Sequence, residues 1–180
     1  METLGDICRN DLERKIHMGK RSVKENKSIY QLAREEMDWT RAEAAEAIGC
    51  ISESRLEKLE SGKTAVYPED VLAMAKTYKK PSLCNLYCSQ ECAIGQEYVP
   101  EVQVKELPTV TLEILATLNK LEEEKDRLIE ITVDGEISED ELADFRAIQN
   151  QLDKLALSID SLKAWVDNTI ASGKIDKGLL

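Results

Sequence analysis

The chain has 180 residues, 42% of them hydrophobic but only 4% aromatic, with four Pro and eight Gly. That balance favours helices packed through Leu, Ile, Val and Ala over a β-sandwich, and the length allows one domain or two small ones. A net charge of −11 argues against a uniformly basic nucleic-acid binder, and no apolar run approaches the ~20 residues that span a bilayer, so no membrane partner is expected.

The opening METLGDICRNDLERK is charged where a signal peptide needs an apolar core. A cytoplasmic location is therefore expected, reducing enough for cysteines to stay thiols or bind metal. Residues 1–27 carry seven Lys/Arg against five Asp/Glu and read as a basic N-terminal arm. A phosphate-binding arm and a solvated leader remain equal readings of it.

Residues 28–92 change to short helices with close punctuation. SIYQLAREEM reads as a first helix. TRAEAAEAIG follows with Thr40 as N-cap and Glu43 three residues on, a capping box, and Gly49 closes it. SESRLEKLESG is a third helix, stopped at Gly62. Pro68 opens a fourth, as Pro is accepted at a first helical position. Pro81 ends it, and LCNLYCSQEC reads as a short fifth.

Residues 93–108, with two prolines and Gly95, read as an extended linker. Two long helical patterns follow within 109–172, from about Thr109 to Val133 and from about Glu139 to Ser172. Asp134-Gly135 marks the turn, and Ser138 with Glu141 makes a second capping box. From Phe145 the apolar residues of the second helix step by 3, 4, 3, 4, 3, 4 and 4, a coiled-coil seam. A short loop makes the two helices an antiparallel hairpin. One seam against one partner helix is thin, so homodimerisation through residues 109–172 is expected. Residues 173–180 are a tail. Residues 101–180 hold nine Lys/Arg against eighteen Asp/Glu, which places most of the negative charge here.

The segment 28–78 has the layout of a helix-turn-helix. Ala45 is expected at the crossing of its two helices. With Ser52, Leu56 and Leu59 facing in, a step of ~100° per residue puts Ser54, Glu57, Lys58 and Ser61 outward, flanked by Glu53 and Arg55. Such a helix can offer hydroxyl, carboxylate and ammonium groups to base edges in a major groove. Thr40 and Arg41, at the preceding helix start, are placed to hold phosphate. The candidate DNA-binding residues are thus Thr40, Arg41, Ser52, Glu53, Ser54, Arg55 and Lys58, and the partner is double-stranded DNA.

The stretch QLAREEMDWTRAEAAEAIGCISESRLEKLESGKTAVYPEDVLAMAKTYKKP resembles the XRE family of bacterial and phage regulators, which share the helix-turn-helix of Cro and lambda repressor. It is most similar to a branch from anaerobic Gram-positive bacteria that adds a segment like LCNLYCSQECAIG and a tail like RLIEITVDGEISEDELADFRAIQNQLDKL. The resemblance implies a five-helix DNA-binding domain, dimeric, that regulates transcription. Two features depart from the family pattern. CISES is one residue longer than the usual turn, and the reading helix carries Glu53, Glu57 and Glu60 against Arg55 and Lys58. A helical adaptor that binds protein is one alternative, and a metal- or redox-responsive regulator acting through the cysteine cluster is the other.

Cys84, Cys88 and Cys92 recur every four residues. On a straight helix they span ~12 Å, too far for one zinc with bonds of ~2.3 Å. A zinc or iron–sulfur site needs the helix to break near Ser89-Gln90 and a fourth ligand, with Cys50 and Cys8 the candidates. Packing and redox sensing are the other readings, so no cofactor is assigned. EITVDGEISEDE has a calcium loop's Gly and Glu positions but lacks its leading acidic pair, and a capped turn explains the same residues. His17 is the only histidine, which removes most histidine-based acid–base chemistry. No nucleophile elbow, phosphate-cradling glycine loop or zinc-protease motif occurs, so an enzyme is not expected. The reading is an all-α, dimeric regulator: a five-helix lambda-repressor-like domain, then a long antiparallel helical hairpin.

Overall fold

The computed structural model describes residues 26–176 and 178. The basic arm lies outside the described residues but for its last two positions, as do Cys8 and His17. No strand occurs among the described residues, and the regular structure is α-helical. The chain divides into two compact units between Tyr78 and Lys79.

The first unit holds four short helices: α1 Ile29–Glu36, α2 Arg41–Ile48, α3 Glu53–Glu60 and α4 Pro68–Thr77. Each start has a local cause. The Ser28 hydroxyl accepts from Gln31 N–H at 3.2 Å. Thr40 and Glu43 form the expected capping box. Ser52 accepts from Arg55 N–H at 3.3 Å, and Pro68 sits in the first turn of α4. Gly49, at φ 76°, ends α2 in the left-handed region and donates its N–H to the Ala45 carbonyl at 2.9 Å, where a residue with a Cβ is strained.

Tyr30, Ala33, Ala44, Ile51, Leu56, Leu59, Val71 and Met74 are buried in this unit, and Trp39 meets Tyr78 edge-on at 6.1 Å. Ala44 is the fully buried residue of α2, with Ala45 beside it half-buried. One expectation is corrected. Ser52 is exposed rather than inward, because it caps α3 from outside its first turn.

The second unit contains α5 Ser82–Gln90, α6 Ala93–Tyr98, α7 Leu107–Thr132 and α8 Leu142–Ala171. The cysteine-bearing α5 groups here rather than with the four-helix domain, because its partners lie further along the chain. Gly95 is buried against it: a Cβ there would stand 2.6 Å from the carbonyl carbon of Cys88. Asn85 donates to the Pro100 carbonyl at 3.0 Å and accepts from Val102 N–H at 2.8 Å. The expected linker 93–108 is therefore a helix plus a fastened extended stretch, and only the latter matches the reading of extended chain.

Helices α7 and α8 pack on one another along the hairpin, burying Val110, Ile131 and Ile148. Gly135, at φ 77°, turns the chain. The Glu141 carboxylate accepts from Ser138 N–H at 3.0 Å and from its hydroxyl at 2.5 Å. That ties 138–141 into a turn, and α8 begins at Leu142, three residues later than the pattern predicts.

Candidate nucleic-acid interface

The outward side of α3 carries Glu53, Ser54, Glu57 and Lys58, all exposed, with Ser61 exposed at its C-terminus. Leu56 and Leu59 anchor the opposite side, at 0% and 2% exposure. The face predicted from the helical step is thus the face presented, and Lys58 meets no ion-pair partner among the described residues.

The other cations behave differently. Arg34 donates through Nε and Nη2 to the two carboxylate oxygens of Glu60, at 2.6 and 3.0 Å, and through Nη1 to the Trp39 carbonyl at 2.5 Å. Arg41 Nε reaches the same carboxylate at 2.8 Å. Glu60 is wholly buried, so its charge never faces a phosphate; it belongs to a buried network between helices. Burial opposes the Arg34 charge, but the hydrogen bonds and field of Glu60 outweigh it and raise its pKa. Nearby Tyr78 is pushed well above the ordinary tyrosine range by burial and by the Glu60 charge.

Arg55 bonds Asp70, with Nη2 to Oδ2 at 2.5 Å, and its guanidinium lies 5.5 Å from the Tyr67 ring centre. The Asp70 hydrogen bond raises the Arg55 pKa. This pair fixes the distance between α3 and the start of α4, since Asp70 also accepts from Tyr67 N–H. Thr40 spends its hydroxyl and its N–H on Glu43, at 2.8 and 2.7 Å, so a carboxylate already occupies the helix start where a phosphate was expected.

Of the seven candidates, then, Thr40 and Ser52 cap helices, Arg41 and Arg55 are engaged within the protein, and Glu53, Ser54 and Lys58 stand exposed. Lys63 escaped the sequence reading. It is exposed just after Gly62 and its N–H donates to the Lys58 carbonyl at 2.9 Å, which adds a second lysine beside the C-terminal end of α3. Its signal was a lysine directly after the Gly that stops the reading helix.

Cys50 is exposed, and Cys84, Cys88 and Cys92 are half-buried. The chain does break between α5 and α6, at Glu91-Cys92. Even so, no three His, Cys, Asp or Glu side chains gather closely enough to hold a metal ion among the described residues. No described helix is long and apolar enough to cross a membrane.

Residues 31–82 match a family model described as helix-turn-helix. No curated protein and no solved structure matches the chain. The match spans α1 to α4 and ends just inside α5, with the exposed side of α3 at its centre. Residues 31–82 are thus a helix-turn-helix domain of the XRE type, the domain of DNA-binding regulators.

Proposed function

We propose that the protein is a sequence-specific DNA-binding transcriptional regulator that acts as a homodimer. Helix α3 enters the major groove and presents Ser54 and Lys58, with Glu53 at its leading end, to base edges. Lys63 and the exposed edge of Arg41 neutralise phosphates. Ser52, Thr40 and Arg55 serve by fixing where α2 and α3 lie. The hairpin pairs the subunits, and its negative charge keeps that end away from the duplex. The operator is a pseudo-palindrome whose half-sites match the dimer.

The observation that carries this reading is the exposed Ser54–Lys58 side of α3 inside a domain matched as helix-turn-helix. Selection of bound fragments from random duplex DNA tests it. A recovered inverted repeat, lost with Arg41→Ala, Ser54→Ala and Lys58→Ala combined, is the expected result. Enrichment of no sequence, or unchanged binding by that variant, rejects α3 as the reader.

One observation favours a second reading, a protein-binding adaptor. With Arg41 and Arg55 engaged internally, the exposed side of α3 offers Glu53 and Glu57 as well as Lys58. Salt separates the two readings, because DNA binding weakens steeply as released counterions are opposed.

A further inference from the structure

The heptad seam of α8 is split between two directions. One column of the repeat, Ile148, Leu155, Leu162 and Thr169, is buried or half-buried against the hairpin. The other begins at Phe145 and runs through Leu152, Ile159 and Val166. In it Leu152 and Ile159 are left 45% and 40% exposed. A sustained seven-residue repeat holds its register only where both columns meet partner helices. Here the buried side of α8 takes in the first column together with Gln151, Ser158 and Ser161, Phe145 and Val166 are half-buried, and Leu152 and Ile159 in the middle of the second column are left uncovered.

Helix α7 shows the same division. Its core side is set by Val110 and Ile131. A second column at seven-residue spacing, Leu115, Glu122 and Ile129, is exposed, with Leu118 beside it; Leu115, Leu118 and Ile129 are 51%, 45% and 60% exposed. At ~100° per residue the uncovered columns lie roughly 90–120° past the direction in which each helix meets the other. The chain reverses over 133–141, and Arg127 meets Asp144 across that turn at 2.8 Å, so the helices are antiparallel. Reversal also reverses the sense of rotation, and like offsets therefore bring both columns to one side of the hairpin.

We infer that this side, built from Leu115, Leu118, Ile129, Leu152 and Ile159, is the interface with a second copy of the chain, closing two hairpins into a four-helix bundle. The inference rests on the homodimer proposed above and names the surface that makes it. Size supports a second copy. Helix α7 has 26 residues and is ~39 Å long, and two helices ~9 Å apart present a face ~20 Å wide. That is at most roughly 800 Å² per chain, which reaches the amount each partner buries in an interface of standard size only when the whole side is covered. A two-fold axis satisfies the pattern because each copy brings the same pair of columns. Glu122, 70% exposed and bonded to Lys125, is the one charged member of its column. It weakens the interface and limits how the columns pair, as a polar group in a seam does.

Sedimentation equilibrium of the full chain tests this, with helix content followed by circular dichroism. Wild type is expected to dimerise. Leu152→Glu with Ile159→Glu is expected to be monomeric with unchanged helicity, and Leu157→Glu, on the other flank of α8, to remain dimeric. Glu122→Leu is expected to tighten the dimer at least tenfold. A wild-type monomer at every concentration overturns the proposed dimer itself. A dimer that survives the double change with helicity intact leaves the dimer standing and overturns this face. If the double variant loses its fold, Glu122→Leu decides: unchanged or weaker association overturns the inference.

Discussion

Glu60 shows how a single side chain changes the meaning of a helix. Read as a sequence, α3 carries three carboxylates that a DNA backbone would repel. In the folded domain one of them is buried between Arg34 and Arg41 and the repulsion it implied is gone. Its position was recoverable from the helical step, since it follows Leu59 directly and Leu56 by four residues; its charge suggested solvent. The partner 26 residues upstream was not recoverable, because no local pattern joins Arg34 to Glu60. Glu60→Ala strands a buried guanidinium and is expected to cost about 3–5 kcal/mol, read from denaturant unfolding. Glu35 gives a pH signature. Burial pushes its pKa up, but hydrogen bonds from Lys27 and Gln31 outweigh that and hold it below the usual range. A depressed carboxylate pKa stabilises the fold above its unfolded value of ~4.3 and is lost as pH falls through the folded value. Stability of wild type relative to Glu35→Gln should therefore be constant near neutrality and shrink below about pH 4.

In the first unit, element boundaries followed from the sequence at Thr40, Gly49 and Pro68, whereas Ser52, read as facing inward, proved to be a cap. Ser28, Thr40, Ser52, Gly49 and Pro68 each act locally, and each marks a helix end in the structure. Helix α6 was not legible. Its six residues, AIGQEY, contain a Gly and no apolar period, and only the close approach to Cys88 gives it a reason to form. That same approach moves α5 out of the four-helix unit. Gly95→Ala should overpack the α5–α6 crossing and destabilise the second unit by about 1–3 kcal/mol. Hydrogen exchange is expected to show lost protection in α5 and α6 with α1 to α4 unchanged. Loss of protection in the first unit instead would mean that Gly95 supports the helix-turn-helix, contrary to the division observed here. The hairpin was legible as two helices because its period runs long, but its facing was legible only in part: Leu152 and Ile159 of the seam are exposed, while Gln151, Ser158 and Ser161 are buried. The start of α8 at Leu142 was not legible, since Glu141 holds Ser138 in a turn rather than opening the helix at Glu139.

Across the whole molecule, negative charge is heaviest in residues 101–180, and exposed large apolar residues occur in both units, Leu32, Tyr67 and Leu72 in the first. The helix-turn-helix exposes Lys58 and Lys63 beside the reading helix, whereas residues 101–180 hold half of the 35 acidic residues and over a third of the basic ones. Uncovered Leu and Ile lie along the hairpin. That distribution suits a protein that binds a polyanion at one unit and its own copy at the other. The central claim is that α3 meets a duplex, and the salt dependence of DNA affinity for wild type and Lys58→Ala on the selected operator tests it most directly. The account predicts a steep linear fall of log K with log salt, weaker binding by the variant, and a slope smaller by about one unit. Salt-independent association, or identical slopes and affinities for the two proteins, would contradict it.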